Sequence, residues 1–211
     1  MTSSPLRMHS QSRSTTAIPH LRPVGLTGIP RADAQIARTI ETLRVAQFEQ
    51  DPLYTAAESF EWSLRSSAVK REGAIIEAAI QDAIEQTPHL RLLPISHRLK
   101  RVPDVQFELV DMGWIVALEI KRGSQHDSTN LRQFRADLAA IPPLLRTALP
   151  LFPVEYVHFH IVFVSGKPPI PEGLTLDDLG RIYGLHARSH VLTARQRYSA
   201  AIDTVLRERG L

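Results

Sequence analysis

The chain has 211 residues, 43% of them hydrophobic, enough for one domain with a real core and additions around it. It has no cysteine, which excludes disulfides and thiolate metal sites and fits a reducing, cytoplasmic location of the bacterial type. Its 25 Lys and Arg against 22 Asp and Glu give a net charge of +3, and no apolar run reaches the length of a secretory core or a membrane span, so no membrane association is expected.

Residues 1–32 carry no acid, but Arg7, Arg13, Arg22 and Arg31 lie there among many Ser, Thr and Pro. So polar a stretch cannot bury a core, and a disordered basic tail is predicted over 1–30. An organellar targeting segment shares the same bias. From Arg31 to Gln50, Ile36, Ile40, Leu43 and Phe48 recur at close to helical spacing, and Asp51-Pro52 reads as the start of a second helical stretch. Together these predict an N-terminal helical cap over 31–64.

A longer helix is predicted from about Ser66 to Gln86. At 100° per residue Ala68, Val69, Ile75, Ile76, Ala79, Ile80 and Ala83 form one apolar stripe. Glu72 falls in the middle of that stripe, and Glu77 lies at its edge, four residues after Gly73. A carboxylate on an apolar face needs a partner, and a divalent metal is one candidate.

Leu90, Leu92 and Leu93 read as a short strand, after which Arg98, Lys100 and Arg101 cluster with no acid nearby. Such a run suits a phosphate backbone, because neutralising phosphates releases counterions. Val105–Leu109 and Ile115–Ile120 are strand-like, and Asp111-Met112-Gly113 between them supplies turn chemistry. A two-residue turn at Met112-Gly113 would set Asp104 opposite Lys121 and Gln106 opposite Glu119. Side chains two apart share a face, so Asp104, Glu119 and Lys121 emerge together, within reach of one divalent cation. A purely structural ion cluster at a sheet edge would use the same letters.

After Lys121 comes a polar loop, Arg122 to Thr129, with His126 and Asp127, then a predicted helix from about Asn130 to Ala140 bearing Arg132, Gln133 and Arg135. Val154–Val164 is the last strong strand. His158 and His160 share a face there at a spacing zinc can use, but no third ligand is in register, which favours packing. Beyond the Pro168–Pro171 break two helical stretches are expected in a C-terminal extension over 167–211, the last from about Thr193 to Arg209.

The order helix with Glu, strand, Pro103-Asp104 strand, Glu119-Ile120-Lys121 strand, helix, strand resembles the PD-(D/E)XK nuclease superfamily. The resemblance covers roughly Ser66 to Gly166, and it implies a nuclease core over 65–166. The fold class it implies is α/β, restriction-endonuclease-like: a mixed central sheet of about four core strands flanked by helices, with helical additions at both ends. It also implies a divalent-metal-dependent DNA endonuclease similar to type II restriction enzymes, able to work as a homodimer. In that reading Asp104 and Glu119 hold Mg²⁺, with Mn²⁺ as a substitute, helped by the Ile120 carbonyl. Lys121 acts on the attacking water, and either Glu72 or Glu77 completes the set. DNA phosphates would meet Arg98, Lys100, Arg101, Arg122 and Arg132. Two other readings share the letters: a repair or recombination nuclease acting on structured or single-stranded DNA, and a nuclease-fold protein that binds DNA without cutting it.

Overall fold

The computed structural model describes residues 28–95, 103–122, 128–148, 156–165 and 168–211. Among these, five helices and five strands form an α/β fold around an open mixed sheet. The sheet has one strand more than the four expected.

Of the segment 1–30 predicted as a tail, Ile29 is fully buried and Pro30 opens α1 (Pro30–Val45). Residues 1–27 lie outside the described residues. α1 stops five residues short of Gln50. Its N-cap position is Ile29, which has no side chain to bond the first amides. The buried Asp82 does that work, its two carboxylate oxygens accepting the Arg31 and Ala32 amides at 3.0 Å each.

Asp51-Pro52 does not start a helix. The Asp51 side chain accepts the Leu53 amide at 2.9 Å and its carbonyl accepts the Tyr54 amide, which closes a turn. The helix begins after Thr55, whose capping box with Glu58 satisfies the first amides. α2 then runs unbroken from Ala56 to Glu85, so the expected boundary between cap and core at 64/65 falls inside one helix. Its buried side includes Leu64, Ala68, Ile75, Ile76, Ala79, Ile80 and Ala83, whereas Val69, expected in that stripe, is exposed.

β1 (Leu90–Leu92), β2 (Val105–Leu109) and β3 (Trp114–Lys121) form an antiparallel meander. α3 (Ser128–Ala148) leads to β4 (Val157–Phe163), which pairs with β3 in parallel, and the two-residue β5 (Leu174–Thr175), not anticipated from sequence, adds a parallel edge. α3 passes through Pro142-Pro143, where the sequence suggested an end near Ala140. Proline inside a helix removes a hydrogen bond. Here Phe134, Ile141 and Leu145 lie on one side of the helix and pack into the sheet, and that burial carries the helix past the break.

Alternation along the strands divides the core in two. Val105, Phe107 and Leu109 of β2 with Val116, Leu118 and Ile120 of β3 face α2 and its neighbours, α4 (Leu176–Tyr183) and α5 (Ala187–Glu208) among them. Ile115 and Ala117 of β3 with Val157, Phe159, Ile161 and Phe163 of β4 face α3. α5 starts six residues before Thr193, because Ala187, His190 and Val191 are already buried. No described helix is long and apolar enough to cross a membrane.

Candidate functional site

The hairpin of β2 and β3 ends in a four-residue loop, Val110 to Gly113, instead of the expected two-residue turn. The Leu109 carbonyl accepts both the Met112 and Gly113 amides, and Gly113 closes the loop at φ +65°, a region glycine enters without strain. The pairing runs from Leu109↔Trp114 to Val105↔Leu118. Asp104, one place beyond, therefore comes opposite Glu119 and not Lys121. The displacement is two residues, and an even displacement keeps every side chain on its face. Asp104, Glu119 and Lys121 thus remain together.

Asp104 closes the open end of the hairpin: its amide donates to the Leu118 carbonyl at 2.9 Å, and its Oδ2 accepts the Ile120 amide at 2.6 Å. Lys121 Nζ donates to Glu119 Oε1 at 2.5 Å and lies 5.6 Å from the centre of the Phe134 ring on α3. The helix thereby walls one side of the ammonium.

Glu77 completes the group. Its carboxyl is pushed up to about 7, first by burial and then by the charges of Asp104 and Glu119. Asp104 is pushed up to about 6 by burial; the Ile120 amide opposes this, Glu119 adds to it and Lys121 opposes it. Glu77, Asp104 and Glu119 thus feel one another's charge, with Lys121 paired to Glu119, and that mutual repulsion is what a cation would relieve. Gly73 is not what makes room for Glu77, since a Cβ there would sit 3.9 Å from Oε1, an ordinary contact. Glu77 also lines a cavity of about 500 Å³ between α1 and α2, with Arg31, Gln35 and Arg38 on the facing wall.

Glu72 is turned elsewhere. Arg195 Nε of α5 donates to its Oε1 at 2.7 Å, and Arg122 Nη1 lies 4.0 Å from its Oε2. Of the two helical candidates, Glu77 is the one the fold brings to Asp104 and Glu119.

Among the described residues no three His, Asp or Glu side chains are arranged to hold a metal ion by themselves. Mg²⁺ asks for less, since it keeps several waters and takes one or two carboxylates. Asp104 and Glu119 with the Ile120 carbonyl fit that demand, and Glu77 stands near enough to feel both charges.

Arg122 follows Lys121 directly and Arg132 is exposed on α3. Arg98, Lys100 and Arg101 lie outside the described residues, as does the loop 123–127 with His126 and Asp127. His158 and His160 pack. Their rings stack with centres 6.5 Å apart, Trp114 lies against His158, and His160 Nε2 meets the Tyr183 hydroxyl at 2.5 Å. Burial, with a smaller push from His158, takes His160 down to about 4, a neutral core imidazole. No motif in the sequence points to Arg195, which reaches Glu72 from a helix 123 positions away.

No family model, curated protein or solved structure matches the chain.

Proposed function

We propose that the chain is a divalent-metal-dependent DNA endonuclease of restriction-endonuclease-like fold. The observation that carries this reading is the convergence of Glu77, Asp104, Glu119 and Lys121 at the open end of one hairpin, with two carboxyls pushed far above their usual range. The element order supports it as well: α2, the meander β1–β2–β3, α3 and then β4 parallel to β3 follow the succession the resemblance implies.

Asp104 and Glu119 would hold the cation with the Ile120 carbonyl, and Glu77 would bind one of its waters or a second ion. Bound there, Mg²⁺ supplies a polarised phosphate oxygen and a more acidic water. The chain's own groups do the rest. The Ile120 amide fixes the Asp104 carboxylate through Oδ2. Lys121, held by Glu119 in the free protein, would turn its ammonium to the phosphate and offset the charge that grows there. Phe134 and the buried hairpin keep bulk water from the inner side of that ammonium, which strengthens its pull. DNA is the proposed partner, and a homodimer is the proposed assembly for cutting both strands.

The test is nicking of supercoiled plasmid by the full chain. Mg²⁺ or Mn²⁺ should support cutting, EDTA should stop it, and Ca²⁺ should allow binding alone. Cleavage indifferent to chelation would remove the mechanism, and binding without cleavage under all metals would leave a DNA-binding protein.

A further inference from the structure

Beside the carboxylate group the fold builds a second feature of opposite sign. A cavity of about 280 Å³ opens between the ends of β4 and β5 and helices α4 and α5, with Phe163, Val164, Leu176, Asp177, Arg188 and Arg195 in its wall. A water's share of liquid volume is about 30 Å³, so a tetrahedral oxyanion with part of its hydration fits. The Val164 amide donates to the Lys121 carbonyl at 2.8 Å, which puts the cavity floor one strand away from the proposed catalytic lysine.

The charges around it do not cancel. Arg195 and Arg122 share one carboxylate, Glu72, and Arg188 pairs with Asp177. In the wall itself Arg188 and Arg195 stand against Asp177 alone, and Arg122 lies behind Arg195 on the same Glu72. Arg122 Nη1 is buried and makes no hydrogen bond among the described residues, its distance to Glu72 being that of an ion pair only. A buried donor without an acceptor is costly, and an acceptor oxygen is what this corner lacks. Planar guanidinium forks match phosphate oxygens two at a time.

We propose that Arg188 and Arg195, with Arg122 held beside them by Glu72, form a phosphate-binding subsite that takes a phosphate of the nucleic acid next to the one being cut. Glu72 is then a positioning residue that sets two guanidiniums, and it has no part in holding metal. The assignment rests on the nuclease reading for the identity of the ligand. Phosphate recognition itself does not depend on that reading, and the two can fail separately.

The experiment uses the full chain in EDTA, with arginine Nε–Hε resonances followed by NMR during titration with inorganic phosphate, and with chloride at matched ionic strength as control. Phosphate should move the Arg188 and Arg195 resonances with one common midpoint. Arg195→Gln should raise the midpoint read at Arg188 about tenfold, as expected for loss of a hydrogen bond to a charged group. Arg188→Gln, at an exposed position where folding is not at stake, should raise the midpoint read at Arg195 several-fold. Glu72→Gln should also raise the midpoint, with no change in the stabilisation given by Mg²⁺. Competition by linear duplex with 5′-phosphate ends, by the same duplex with 5′-hydroxyl ends and by closed circular DNA then tells a terminal phosphate from an internal one. Resonances that move equally in chloride, or a midpoint untouched by Arg188→Gln and Arg195→Gln, would overturn the subsite and leave the nuclease reading standing. Phosphate binding in a protein that cuts no DNA would do the reverse.

Discussion

Asp104 Oδ2 and the Ile120 amide meet at 2.6 Å across the open end of the hairpin, so a side chain takes over where the backbone ladder of β2 and β3 stops. That bond fixes the carboxylate against the backbone of Ile120, the residue whose carbonyl is also proposed to hold Mg²⁺. It also gives Asp104 a structural role beside the proposed catalytic one, and substitutions can separate the two.

Asp104→Asn keeps an acceptor for the Ile120 amide and should retain the thermal midpoint, yet lower cutting by about a hundredfold or more through loss of the charge. Glu119→Ala and Lys121→Ala should each lower it at least as far. Plasmid nicking beside circular dichroism melts measures both. A Lys121→Ala protein that cuts at the wild-type rate would remove the lysine from the mechanism.

Glu77→Gln should weaken Mg²⁺ binding about tenfold, while Glu72→Gln leaves it unchanged, because only Glu77 is coupled to Asp104 and Glu119. The Mg²⁺-induced shift in thermal midpoint reads this without any substrate. Equal shifts in the two variants would dissolve the distinction.

Glu77 and Asp104 titrate near 7 and 6 in the folded chain, well above the ordinary carboxyl range of about 4. The folded state therefore holds more protons than the unfolded one between about pH 4 and pH 7, and these groups make stability fall as pH rises through that window. His160, held down to about 4 by burial, acts in the opposite sense and loses stability as pH falls below its unfolded value of about 6.5. Comparing wild type with Glu77→Gln cancels the histidine. Relative to the variant, wild type should lose stability from about pH 4 to pH 7, and Mg²⁺ should restore it at the upper end. Urea midpoints give the comparison, and a difference that does not vary with pH would place the Glu77 carboxyl in the ordinary range.

Asp82→Ala should cost about 2 kcal/mol, since it strips the acceptor from the first two amides of α1 at a buried position. Urea unfolding measures it. A loss below about 0.5 kcal/mol would mean that water replaces the cap.

The sequence made the site readable where parity governs it. Whether the hairpin loop has two residues or four, Asp104, Glu119 and Lys121 keep one face, so the letters sufficed for the face but not for the partner. Asp111-Met112-Gly113 announces a turn without stating its length, which depends on how the Leu109 carbonyl shares its hydrogen bonds. Periodicity set Glu72 on the core side of α2 and was right about direction. It could not reveal Arg195, 123 positions later, as the partner. Asp82 was missed for a similar reason, although a helix opening at Pro30 with no capping side chain before it was a sign that an acceptor must come from elsewhere. α3 outlasts its expected end near Ala140 because the apolar stripe of Phe134, Ile141 and Leu145 continues across Pro142-Pro143.

Glu72 and Glu77 stand on the same uninterrupted helix, five residues apart, hence about 7.5 Å along its axis and about 140° around it. One glutamate collects arginines and the other joins acids, so under the proposed function a single rod would carry a cation-holding arm and an anion-holding arm at a spacing set by helix geometry and not by any loop. A movement of α2 toward a bound strand would carry both arms together, and the grip on one phosphate would stay in register with the chemistry at its neighbour.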